Sequence, residues 1–328
     1  MLTISVRFNN DLTVDQFVRM AVLAEELAFD QVWVSNDLFW RSSPVLLAAA
    51  AKATTSIALG AAVMNPVSMH PSEIAMAAAS LDELSGGRFL LGIGAGADEF
   101  LDWARLDGGS ALKRTRRALI ELRALLSGQA PPGWRPEGHL RTGPSRVRIY
   151  VGAMGPQMLG MAGELADGAL PLLFPPEHFP VAYQQVLEGV QLAGRDPLLV
   201  DVAACVWCSI DDDAAAAQRA LAAKIAYYGA SFSPYLLARM SLSLEDFRSV
   251  QRAMADGDVE QATDLITPRM LGLGIAGSAR DVFDRCASLV DAGARHISFG
   301  PPLGPDPERA LVALAREVVP ALQEQQLD

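Results

Sequence analysis

Short apolar runs alternate with helix-period segments along almost the whole chain, and this alternation limits the fold more than any other feature. Residues 2–8 read as a strand. Thr13 then caps a helix whose apolar positions Phe17, Met20, Ala21, Ala24 and Leu27 recur at helical spacing. Further strands are expected at 31–35, 57–63, 88–94, 147–152, 168–172, 198–209 and 296–300. Helices are expected at 44–53, 71–84, 113–126, 156–165, 177–192, 279–292 and 307–323. Eight strands, each followed by a helix, predict an α/β fold of the closed (β/α)8 TIM barrel type rather than a doubly wound sheet. The strands are apolar on both faces, as parallel strands buried on both sides must be.

Two stretches break the rhythm. Residues 127–146 form a Pro/Gly-rich loop with one Trp, and 211–270 read as an extra helical insertion between strands seven and eight. No composition break marks a linker, so residues 1–328 are expected to form a single domain.

A net charge of −11, with no basic run longer than the cluster from Lys113 to Arg117, argues against nucleic-acid binding. That cluster opens a predicted helix, where it forms either a solvated face or a contact to a ligand phosphate. Apolar runs are broken well before the roughly 20 residues that a membrane span requires. No secretory signal precedes the first strand, so a cytoplasmic protein is expected. Cys205 and Cys208 lie three apart in a strand-like run, without the second pair that a zinc site needs. They read as buried, reduced thiols, and no metal is expected.

In a (β/α)8 barrel, ligands bind at the loops that follow the strands. Those loops hold Arg7 and Asn9, then Ser35-Asn36-Asp37, then Asn65 and His70. Strand four leads into Gly92-Ile-Gly94-Ala95-Gly96-Ala97, and strand five into Gly152-Ala-Met154-Gly155-Pro156. Glycine-rich loops that run into helices expose backbone N–H groups, which suits a phosphate. Glycines that only make tight strand-to-helix turns are the alternative. The string Gly92-x-Gly94-x-x-Ala97 lacks the βαβ context of a dinucleotide fingerprint.

The run Asn65-Pro-Val-Ser-Met-His70-Pro71, followed by Leu81-Asp-Glu-Leu-Ser-Gly-Gly-Arg88-Phe-Leu-Leu-Gly-Ile-Gly-Ala-Gly96, resembles the luciferase-like superfamily of flavin- and F420-dependent oxidoreductases. Within it the chain is similar to the methylenetetrahydromethanopterin reductase-like branch. Ile149-Tyr-Val-Gly-Ala-Met-Gly-Pro-Gln-Met-Leu159 and Phe299-Gly-Pro-Pro-Leu-Gly-Pro-Asp-Pro307 extend the resemblance along most of the chain. It implies a homodimer with a deazaflavin or flavin ring at the carboxyl ends of the strands. It further implies a bulge with a non-prolyl cis peptide at Ala62–Val63 behind the ring, and a ring-contacting acid at Asp37. The cofactor's phosphate is then expected near Ala95, Gly96 and Ala97 and near Met154, Gly155, Pro156 and Gln157, with Asn65 alongside.

Three departures accompany the resemblance. Leu38 stands where the branch's sugar-phosphate dehydrogenases carry a catalytic His, Ala97 where an acid follows the glycine run, and Arg7 where the reductase has an acid in strand one.

The implied function is transfer of a hydride between C5 of F420 and a small organic substrate. The alternatives are an FMN-dependent monooxygenase and a flavin-binding protein without turnover. Arg7 either steadies an anion or pairs with an acid. His70 is either a proton donor or a structural cap before Pro71. The small residues Ala75, Ala77, Ala78, Ala79 and Ser80 allow another helix to approach, giving the expected dimer a basis in sequence.

Overall fold

The computed structural model describes residues 2–326. Two compact units form, one of residues 5–171 and 182–203, the other of the segment to Ile4, residues 172–181 and residues 204 onward.

In the first unit the order is β1 (Thr3–Phe8), α1 (Val14–Glu26), β2 (Gln31–Val34), α2 (Ser43–Ala53), β3 (Ala58–Met64), α3 (Pro71–Ser85) and β4 (Phe89–Ile93). It continues with α4 (Asp98–Trp103), α5 (Ala111–Leu126), β5 (Arg148–Ala153), α6 (Pro156–Leu165), β6 (Gly168–Pro171), α7 (Phe179–Leu192) and β7 (Asp201–Val202). Its strands lie in the order β7-β6-β5-β4-β3-β2-β1, and all are parallel.

The second unit holds β8 (Ala204–Ile210), α8 (Ala214–Tyr228), α9 (Pro234–Ala238), α10 (Arg248–Ala255), α11 (Val259–Asp264) and α12 (Pro268–Leu271). After these come β9 (Ile275–Gly277), α13 (Ala279–Asp291), β10 (His296–Leu303), α14 (Pro307–Ala313) and α15 (Val319–Gln325). Here the order is β10-β8-β9, again parallel. Among the described residues no helix is long and apolar enough to cross a membrane.

Large and small residues are matched across neighbouring strands of the first unit. The Trp33 ring on β2 occupies the space left by Gly60 on β3, where a methyl group would collide with it. Tyr150 on β5 meets Trp33 edge to face at 5.1 Å, and its own ring lies where Gly168 on β6 has no side chain. Both polar ends are satisfied in the interior: Trp33 Nε1 donates to Gln31 at 2.8 Å, and the Tyr150 hydroxyl donates to Asp201 at 3.0 Å. Burial, reinforced by the Asp201 charge, pushes the Tyr150 hydroxyl well above its ordinary pKa.

At the amino ends of the strands the turn between α2 and β3 is held from both sides. Glu25 accepts from the N–H groups of Thr55, Ser56 and Ile57, while Arg88 donates to the carbonyls of Ala51, Thr54 and Ile57. Those bonds outweigh the opposing effect of burial and hold the Glu25 carboxyl down at about 2.

Several boundaries differ from the sequence expectation. The single strand expected over 198–209 is divided: Pro197 and the Asp196 cap impose a 3-10 turn at Pro197–Leu199, after which β7 pairs with β6 and β8 with β10. A short α4 precedes α5, and β9 was not foreseen because three residues are too few to establish a period. The expected insertion at 211–270 holds α8 through α11 and most of α12; α8, α9 and α12 pack with Trp207 of β8 around Leu221, Phe232, Leu237, Phe247 and Met270, and α10 and α11 pack on α8 through Ala226, Val250, Ala253 and Ala262. Cys205, Cys208 and Cys286 are buried thiols outside any disulfide, and burial pushes the Cys286 thiol up to about 12.

His178, in the turn that leads into α7, is buried, and its Nδ1 lies 2.7 Å from the Arg239 guanidinium. Arginine can only donate, so Nδ1 accepts and stays unprotonated. Burial and the Arg239 charge lower its pKa from 6.5 to about 4. The folded chain therefore resists a proton that the unfolded chain takes up, and stability present above about pH 6.5 is lost as pH falls toward 4. Denaturant midpoints measured across this range should show a loss of about 2–3 kcal/mol for the native protein that His178→Gln lacks. Parallel pH profiles for the two proteins would refute the assignment.

Candidate active site

The carboxyl end of β3 departs from regular pairing. Leu59, Gly60 and Ala61 pair with Phe89, Leu90 and Leu91, but the next pair is Met64 with Ile93. Ala62 and Val63 thus face the single residue Gly92, and the peptide bond joining them is cis.

The bulge projects the Val63 side chain toward β4 and β5. A methyl group on Gly152 would lie 2.8 Å from Val63 Cγ1, and one on Gly94 would lie 2.9 Å from Cγ2. At Gly92 it would collide with the Ala61 carbonyl oxygen. Gly92, Gly94 and Gly152 thus have a packing reason, close approach of the β3 bulge, which the spacing of the glycines alone does not reveal. Gly96 is different: its φ is +68°, in the left-handed region, and it passes against the Asn65 amide.

Asn65 joins the loops after β3 and β4. It is buried; its Nδ2 donates to the Ala95 carbonyl and its Oδ1 accepts from the Val67 N–H at 2.8 Å. The amide expected beside a cofactor therefore shapes the loop that carries Ala95 and Gly96.

His70 is the amino cap of α3. Its Nδ1 accepts from the Ser72 N–H at 3.2 Å and contacts the Ser72 hydroxyl at 2.8 Å. The ring also lies 5.5 Å from that of Trp134, in the loop of residues 127–146. Of its two readings, the structural cap is the one these bonds describe.

Asp37 follows β2 and is half-buried. Its carbonyl accepts from Asn10 Nδ2 at 2.9 Å, and the same nitrogen donates to Arg41 at 2.7 Å, while Asn10 Oδ1 accepts from Ser35. Asn10 is buried and holds the loop that presents Asp37. Nothing marks it in sequence beyond its place after the first strand, next to Asn9.

Four positions at strand carboxyl ends are half-exposed within otherwise buried strands: Arg7 on β1, Ala62 and Val63 on β3, and Gly152 on β5. Such interruptions mark where the strands face open space rather than core. Beyond Ala153, Met154 leads to Gly155, which opens α6 with Pro156 in its first turn and no side chain capping it. Gln157 is exposed there, and Ala97 likewise starts the short α4 without a side-chain cap. The structure thus links Val63, Gly94 and Gly152 in one contact, and Asn65, Ala95 and Gly96 in another, and gives His70 different neighbours.

Known proteins resemble this chain over nearly its whole length. The luciferase-like monooxygenase family matches residues 4–296. The 5,10-methylenetetrahydromethanopterin reductase of Methanolobus tindarius is 32% identical over 327 residues, which covers 97% of this chain and 100% of that protein. The F420-dependent glucose-6-phosphate dehydrogenase of Nakamurella multipartita is 28% identical, with 97% of each chain covered. The solved structure of the coenzyme F420 dependent tetrahydromethanopterin reductase from Methanopyrus kandleri matches with a TM-score of 0.88 at 27% identity, over 98% of this chain and 99% of that one. The fold is accordingly TIM-barrel-like, and the chain belongs to the luciferase-like monooxygenase family.

Proposed function

We propose that this chain is an F420-dependent oxidoreductase that moves a hydride between the deazaflavin and a small organic substrate. One observation carries the reading: full-length relatives with different substrates, a pterin reductase and a sugar-phosphate dehydrogenase, share F420 in their names. What relatives of unlike substrate have in common is the cofactor.

The residues present fit such a group. Ala62, Val63 and Gly152 make a half-open wall at the strand ends, suited to a flat ring. The uncapped start of α6 at Gly155, Pro156 and Gln157, with Met154 beside it, and the backbone of Ala95, Gly96 and Ala97 suit its phosphate. Asp37, positioned by Asn10, borders the same strand ends. F420, when bound, supplies a two-electron carrier that gives or takes a hydride.

The protein's part is to place and enclose the reactants. Arg7 brings a positive charge to the end of β1, where it steadies negative charge on the reduced ring or on an anionic substrate. His70 uses Nδ1 at the α3 cap, which keeps its proton on Nε2, and Leu38 and Ala97 carry no titratable group, so the substrate is one that needs little acid–base help from positions 38 and 97.

A homodimer is part of this proposal. Ala75 and Ala78 face the chain's own core, so close helix approach at those two small residues is used internally. The outer side of α3 exposes Met76 and Leu84, with Val45 on the neighbouring α2 and Ile120 on α5 also exposed. Exposed apolar side chains on three neighbouring helices fit a second copy. The buried cysteines, outside any disulfide, suit a cytoplasmic setting.

Fluorescence titration should give binding of F420 in the roughly micromolar range and no comparable binding of FMN, with hydride exchange between F420 and a substrate. Tight binding of FMN but not F420 would sink the cofactor assignment in favour of the monooxygenase reading. Gly152→Ala should weaken F420 binding about tenfold by displacing Val63, and adding Val63→Ala should recover most of the loss. Equal losses in the single and double variants would remove the wall from the account. Light scattering should give a dimer that Met76→Lys with Leu84→Glu converts to a monomer. A native monomer at micromolar concentration contradicts it.

A further inference from the structure

Four aromatic side chains flank the β3 bulge without belonging to the core. Phe39 and Trp40 lie in the loop after β2, two and three residues beyond Asp37, and are 66% and 53% exposed. Phe100 and Trp103 lie on α4, which begins directly after the glycine run of β4, and Trp103 is 60% exposed. The strands β2 and β4 that deliver these loops pair with β3 on either side.

The loops meet through the rings themselves. Phe39 and Trp103 have centroids 6.1 Å apart and planes inclined at 42°, and Trp103 meets Phe100 at 5.3 Å, closer to edge-on. Phe39 reaches its position at φ +69°, a conformation that bulky L residues avoid. Single exposed apolar residues are ordinary. Three large rings in mutual contact, one on a left-handed backbone, in the loops that follow the two strands beside β3, form a prepared contact surface.

The charges around the rings narrow what fits. Asp98, Glu99 and Asp102 are exposed on α4, which carries no basic residue, and the Arg41 guanidinium beside Trp40 donates to the Asp11 carbonyl. Beside the rings these carboxylates tolerate a neutral group or a cation better than a second anion, while a cofactor phosphate would meet the backbone N–H groups of Ala95, Gly96 and Ala97.

We propose that Phe39 and Trp103 form a subsite for a flat, uncharged aromatic part of the substrate, and that this pair selects such substrates over sugar phosphates. The proposal rests on the hydride-transfer reading, because it takes the strand ends beside the rings as the reacting centre. Faces of both rings supply contact area without directional bonds, so the pair sets affinity for the distal part of the substrate. Phe100 braces Trp103 from the side.

The test is equilibrium dialysis of 2-naphthol, a flat uncharged two-ring probe, against the protein with and without F420, beside a separate F420 titration. The native protein should bind 2-naphthol. Phe39→Ala and Trp103→Ala should each weaken that binding about tenfold, and Trp103→Phe should restore most of it. Affinity for F420 should change less than about twofold in all three variants, and glucose 6-phosphate should not displace the probe. Absent binding by the native protein, equal binding by native and variant proteins, or displacement by glucose 6-phosphate overturns the subsite. Loss of F420 affinity in the alanine variants overturns it as well, since the rings then serve the cofactor. A native protein that binds 2-naphthol through these rings but not F420 supports the subsite and removes the cofactor reading instead.

Discussion

The packing of Val63 against three glycines is the constraint on which the candidate site depends. The bulge at the end of β3 brings one extra residue into a parallel ladder, and its side chain must go somewhere. It goes into the space that Gly94 and Gly152 leave by having no side chain, while Gly92 allows the Ala61 carbonyl to approach. A β-carbon at any of these positions would force the bulge to shift. The half-open wall formed by Ala62, Val63 and Gly152 is therefore a joint property of three strands, and no strand holds it alone.

The surrounding packing keeps those strands in place. Trp33 and Tyr150 fill the space beside Gly60 and Gly168, pairing bulk with absence on adjacent strands, and each ring has its polar atom satisfied. On the amino side, Glu25 and Arg88 grip the turn before β3 by its N–H groups and its carbonyls. On the carboxyl side, Asn10 and Asn65 do the same work for the loops after β2, β3 and β4. Rigid strands with tethered loops are what hydride transfer asks of a scaffold, since the reacting carbons must be held in contact and water kept out.

Similarity to enzymes of different substrate class divides the functional question into two parts. The strand-end wall and the open start of α6 offer a place for a cofactor, whereas Leu38 and Ala97 bring no titratable group and Arg7 brings a positive charge. The loops after β2 and β4 carry exposed aromatic surface beside their carboxylates. Under the proposed function, such a site would take its reactivity from the cofactor and its selection from shape.

Much of the fold was legible in the sequence because strand and helix periods are local. Runs such as 2–8 and 57–63 display their burial in their own residues, and caps such as Thr13 and His70-Pro71 announce helix starts. The motif around Asn65 and the glycine run also pointed to the candidate site, and the cis bond that the family resemblance implies at Ala62–Val63 is present. The rest was hidden because it depends on partners far along the chain. Nothing near Gly152 says that Val63 will lie against it, and nothing near Asn10 says that it will hold the Asp37 loop. For His70 the sequence leaves a proton donor and a structural cap both open, and only the folded chain sets its Nδ1 against Ser72 and its ring beside Trp134. The sequence by itself determined the order of elements and the end of the strands where chemistry belongs. Only the tertiary structure decided which glycines make room, which polar groups are spent on tethering and which rings stay exposed, because those outcomes are contacts between residues tens of positions apart.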